Sequence, residues 1–164
     1  MEGRLRSMTS VYFTRDSGVL CLYRIGSRIA NNKYIGAAGG HFEPEELCDA
    51  RACVLREMQE ELGLTEKDVV GLTMRYITLR LKDGEVRQNY YFFAQLADDR
   101  PLESNEGQLE WISWEDLPAL NMPVSAKAMI LHYAAEGRYT DKLYVSVALS
   151  DHPRDACFAE LNEF

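Results

Sequence analysis

Three glutamates fall within five positions of one short segment, Arg56-Glu57-Met58-Gln59-Glu60-Glu61-Leu62. On a helix, at about 100° per residue, Glu57, Glu60 and Glu61 gather on one side, where like charges repel by about 0.2–0.5 kcal/mol per pair even when exposed. A hard divalent cation offsets that repulsion, because magnesium and manganese prefer oxygen ligands and carboxylates three and four residues apart converge on one or two ions. The same spacing also describes an ordinary solvated helix face, so the chemistry depends on what surrounds it.

The helix that carries the carboxylates has readable ends. Asp49 is a candidate N-cap, Leu62 the last apolar residue, and Gly63 stands where a left-handed cap is expected. Its apolar side is expected to be Cys48, Leu55, Met58 and Leu62. Ahead of it, Val11-Tyr12-Phe13-Thr14 and Val19-Leu20-Cys21-Leu22-Tyr23 flank the turn signal Asp16-Ser17-Gly18 and predict a hairpin. A short strand over Tyr34–Ala38 then runs into Gly39-Gly40, a tight backbone turn. Beyond the helix, Leu72–Leu81 and Val86–Leu96 form a long hairpin about Lys82-Asp83-Gly84. Tyr90-Tyr91-Phe92-Phe93 is apolar on both faces, which predicts helices above and below the sheet. A strand over Gln108–Ser113, a helical turn over Trp114–Leu120, a second helix with Ser125 as candidate N-cap and Gly137 as stop, and a last strand over Leu143–Leu149 complete the elements. The expectation is one domain over residues 1–164, with a core over about residues 9–150 and a tail, 151–164, that carries no signal.

The segment Gly40-His41-Phe42-Glu43-Pro44-Glu45-Glu46, continuing to Arg56-Glu57-Met58-Gln59-Glu60-Glu61-Leu62-Gly63-Leu64, resembles the box of the Nudix hydrolase family. That box reads G-x5-E-x7-R-E-U-x-E-E-x-G-U with U apolar, and Gly40, Glu46, Arg56, Glu57, Met58, Glu60, Glu61, Gly63 and Leu64 fill its fixed positions. Nine residues instead of seven separate Glu46 from Arg56, so Glu46, Glu45 and Glu43 are all open as the first glutamate. The resemblance implies an α/β/α sandwich with a mixed β-sheet and metal-dependent attack of water on a nucleoside diphosphate linked to another group. It implies Mg2+ or Mn2+ as cofactor, held by Glu57, Glu60, Glu61 and the Gly40 carbonyl, with Arg56 bridging loop and helix. The general base is Glu57 or, second, Glu106. The run Glu106-Gly107-Gln108-Leu109-Glu110-Trp111 resembles a stretch of the members that clean oxidised nucleoside triphosphates such as 8-oxo-dGTP. Arg24, Glu46 and Tyr91 are the expected substrate-side residues. Sugar nucleotides, ADP-ribose and dinucleotides are the alternative substrates, and a nucleotide sensor without turnover is the alternative of another class.

Composition limits the partners. Acidic residues number 26 against 18 basic, a formal charge of −8, which disfavours duplex nucleic acid and leaves a small nucleotide open. Four cysteines without a C-x-x-C pair predict free thiols and a cytoplasmic setting. No run of eighteen apolar residues occurs, so no membrane anchor is expected. A homodimer is implied by the resemblance alone.

Overall fold

The computed structural model describes residues 4–26, 31–148 and 156–161. Its strands are β1 (Arg4–Arg15), β2 (Gly18–Arg24), β3 (Lys33–Gly36), β4 (Val69–Lys82), β5 (Glu85–Leu96), β6 (Gly107–Ser113), β7 (Tyr144–Ala148) and β8 (Cys157–Glu160), and its helices are α1 (Ala50–Leu62) and α2 (Val124–Ala135). They form one mixed sheet in the order β3-β2-β1-β5-β4-β7-β8, with β6 paired to β2. The β1–β5 and β4–β7 pairs are parallel, and the others are antiparallel.

Alternation along the strands feeds a core on each side of the sheet. Val11, Phe13, Phe92 and Ala94 pack with Val54, Met58 and Leu62 of α1, while Tyr12, Tyr91 and Phe93 pack with Met129, Ile130 and Tyr133 of α2. This is the expected α/β/α sandwich, and the apolar run at 90–93 is covered on both faces as its composition predicts.

Helix α1 ends where its sequence signals lie. The Asp49 carboxylate accepts from the Ala52 N–H at 2.9 Å, and Gly63, at φ 67°, lets the Gly63 and Leu64 N–H groups return to the Gln59 and Met58 carbonyls. Cys48 corrects the expected apolar face. It precedes the cap, adopts φ 71° and is exposed, while Cys53 and Val54 are fully buried in its place. Helix α2 begins two residues earlier than expected, with Pro123 at the cap position, so Ser125 lies inside the helix. Among the tail residues, β8 pairs antiparallel with β7. Residue 149, the expected end of the last strand, lies outside the described residues.

Candidate active site

Arg56 organises the acidic face of α1. Its Nε and Nη2 donate to the two oxygens of Glu46 at 2.7 and 3.0 Å, Nη1 donates to Glu57 at 2.8 Å and Glu60 at 3.1 Å, and Nη2 also reaches the His41 carbonyl at 3.0 Å. One planar guanidinium thereby ties the loop at 41–46 to the helix. Glu46, 8% exposed, also accepts from the Glu43 N–H at 3.0 Å, and the Arg56 hydrogen bonds hold its carboxyl down at about 2 against the opposing effect of burial. Glu46 is therefore the box's loop carboxylate, and both of its oxygens are used inside the protein. The structure thus places Glu46, expected on the substrate side, within the Arg56 brace. The two extra residues of the box are accommodated between the 3-10 turn Pro44–Glu46 and the cap at Asp49, where Cys48 takes its left-handed conformation.

The loop before α1 meets the carboxylates through its backbone. Gly39 lies at φ 152° and its N–H donates to Glu61 at 3.0 Å, while the Gly40 carbonyl accepts from the Thr9 N–H at 2.9 Å and lies 4.0 Å from the Cys53 thiol. A Cβ on Gly40 would stand 2.3 Å from the Glu57 carboxylate, so the glycine is what permits this approach. Cys53 supports the loop from below, its thiol lying 3.3 Å from the Thr9 hydroxyl and 3.7 Å from the His41 carbonyl. Thr9 and Cys53 were not expected here. Thr9 reaches the site through strand pairing and not through sequence spacing.

Glu57 is 8% exposed, Glu61 half-buried and Glu60 exposed. Burial pushes the Glu57 carboxyl upward against the pull of Arg56. It raises Glu61 to about 7; the Gly39 N–H and Arg24 oppose the rise, while the charges of Glu57 and Glu106 add to it. That mutual influence brings a distant segment into the site. The β2–β6 register sets Arg24 opposite Gly107, and Arg24 forms an ion pair with Glu106 there. Arg24, Glu57, Glu61, Glu106 and Gly40 are thus neighbours.

Tyr91 is not among them. At 5% exposure its ring lies in the α2-side core beside Tyr12, because its strand parity points it away from α1, and the structure does not bring it to the acidic face.

The donor set is carboxylate and carbonyl oxygen, which fits a hard divalent cation, and burial is the main reason that the Glu61 carboxyl is raised, with the charges of Glu57 and Glu106 adding to it. With Arg56 holding Glu57 and Glu60, no three His, Cys, Asp or Glu side chains converge on one point among the described residues.

Comparison with known proteins agrees with this geometry. The chain is similar in fold to a MutT protein from Bacillus halodurans, with a TM-score of 0.62, 22% identity, and 87% of this chain and 88% of that one covered. A MutT protein from Methanosarcina mazei Go1 gives a TM-score of 0.67 at 17% identity, over 83% of this chain and 97% of that one. A C. elegans Ap4A hydrolase gives 0.62 at 15% identity, over 80% and 96%. No curated protein matches. The NUDIX domain model matches residues 4–133, a span that runs from β1 through α2 and includes the Arg56 brace, the Gly39-Gly40 turn and every glutamate of the acidic face. With sheet order, braced carboxylates and family model in agreement, the chain belongs to the NUDIX domain family, the Nudix hydrolases.

Proposed function

We propose that this protein is a metal-dependent pyrophosphohydrolase that cleaves nucleoside diphosphate-X compounds, with a purine (deoxy)nucleoside triphosphate, oxidised forms such as 8-oxo-dGTP included, giving the monophosphate and pyrophosphate. The observation that carries this reading is the intact acidic face, with Glu57 and Glu60 braced by Arg56, Glu61 held by the Gly39 N–H, and Glu57 closely approached by Gly40. A binding-only domain has no need to hold three mutually repelling carboxylates in place.

Glu57, Glu60, Glu61 and the Gly40 carbonyl would hold Mg2+ or Mn2+. Such an ion, when bound, supplies stabilisation of developing phosphate charge and activation of water. Arg56 fixes the carboxylates so that no reorganisation is needed at the moment of reaction. Arg24 offers a guanidinium to the substrate phosphates, and Glu57 or Glu106 takes the proton of the attacking water. MutT proteins and an Ap4A hydrolase share this fold, so the preference for a triphosphate rests on the Glu106–Trp111 run and not on shape. A cytoplasmic setting and a homodimer belong to the same proposal. All four cysteines are free, and no described helix is long and apolar enough to cross a membrane.

Replacing Glu60 or Glu61 by Gln keeps size and removes one charge. Turnover of nucleoside triphosphate falls at least about a hundredfold if these oxygens serve the reaction, and rates within a few-fold of wild type for both variants would exclude the assignment.

A further inference from the structure

On the α2 side of the sheet, away from the acidic face, a cavity of about 330 Å3 opens where β4 begins. Thr14, Thr73, Arg75, Phe93, Tyr133 and Asp141 are among its walls, and β4 is irregular there, with register shifts on both sides of Thr73. Its volume falls at the small end of the range of ligand sites, about 300–1,000 Å3.

Arg75 is the unusual wall. It is 8% exposed, yet no carboxylate pairs with it among the described residues. Its Nε donates to the Lys142 carbonyl at 3.0 Å, and its Nη2 donates to the carbonyls of Gly137, at 2.8 Å, and Thr140. These dipoles fasten the loop at 137–142 to β4 and offset part of the cost of burying the charge. They do not neutralise it, and a buried cation without a counter-ion is costly. Nη1 donates to no protein atom among the described residues, so one nitrogen of a buried cation is left over at a cavity wall. The Thr14 and Thr73 hydroxyls already donate to the Ala94 and Gly71 carbonyls, so the Gln95 amide is the further donor in the wall, and Phe93 and Ala94 supply an apolar floor. Asp141, exposed, is the one acidic wall and opposes a highly charged guest.

We propose that this cavity binds a small oxyanion, a phosphate or carboxylate group, against the buried and uncompensated Arg75. The oxyanion accepts from Nη1 and the Gln95 amide, and its charge replaces the counter-ion that the protein does not provide. The inference stands apart from the acidic face and does not depend on the reaction assigned to it.

The test measures thermal unfolding of the full chain in EDTA, titrated with inorganic phosphate, with acetate, and with chloride at matched ionic strength. The wild type shows a saturable rise in Tm with phosphate, acetate or both, beyond that with chloride, and the active anion names the group the cavity takes. Glu61→Gln keeps this response, because the site is elsewhere. Asp141→Asn shifts half-saturation to lower concentration, and Arg75→Gln shifts it about tenfold or more higher, as expected for loss of a hydrogen bond to a charged group. Should Arg75→Gln fail to fold, Thr73→Glu carries a carboxylate into the cavity, raising Tm without added anion and abolishing the response. A wild type indifferent to both anions, or a response that survives in both Thr73→Glu and any folded Arg75→Gln, would overturn the proposal.

Discussion

Arg56 donates to three carboxylates and one carbonyl, and each of these partners has a different task. The Glu46 pair is structural and has a signature in acid. A carboxyl held at about 2 in the folded chain and near about 4.3 in the unfolded one contributes stability that is complete above the unfolded value and lost as pH falls through the folded one. Wild-type Tm therefore drops more steeply than that of Glu46→Gln between about pH 5 and about pH 2; parallel curves would show that the pair contributes nothing. The general base is decided at the same scale. Glu57 is buried beside Gly40, whereas Glu106 sits half-exposed against Arg24. If Glu106 takes the proton, Glu106→Gln loses as much turnover as Glu57→Gln, and a near-neutral Glu106→Gln returns the role to the box. The box spacing made Glu57, Glu60 and Glu61 legible in the sequence. The place of Tyr91 was not legible, because an aromatic run gives no sign of which face each ring takes until the register is known. The Arg24–Glu106 pair joins residues 82 positions apart, which strand pairing alone brings together.

Helix α1 was readable almost to the residue, since its caps are local chemistry: Asp49 accepts from Ala52, and Gly63 turns left-handed. Only the apolar side was misplaced at Cys48, because the helical period was extended past a cap that breaks it. This cap also positions the carboxylates, which begin two turns downstream. Asp49→Ala is expected to cost about 1 kcal/mol, a fall in Tm of about 2–4 °C for a chain of this size. An unchanged Tm in thermal denaturation would show that packing of Val54 and Met58 alone holds the helix start. The strand β8 was not legible. It is four residues long, mostly exposed and, among the described residues, paired only with β7, so it has neither the alternation nor the apolar content that marks a strand. The N-terminus of α2 was missed for a related reason: Ser125 has the right chemistry for a cap, but the backbone at Pro123 already leads into the helix.

At the scale of the molecule, a mixed sheet with one helix on each face divides the work. The α1 face carries the carboxylates, while the α2 face carries an aromatic core and the Arg75 cavity. A net charge of −8 keeps polyanions away, yet the guanidiniums of Arg24 and Arg56 stand among the site's acids, so a small anion meets positive charge where it is needed. The sandwich follows from the apolar strands, a helix α1 with one apolar side and a helix α2 that is buried over most of its surface, whereas the choice of nucleotide depends on side chains outside the box. Release of pyrophosphate and phosphate, with magnesium and with EDTA, across canonical and oxidised nucleoside triphosphates, ADP-ribose, dinucleotides and nucleotide sugars tests the central claim most directly. Magnesium-dependent formation of monophosphate and pyrophosphate from a purine triphosphate is the predicted result. Nucleotide-induced thermal stabilisation without release from any compound would contradict it and make the protein a binding domain.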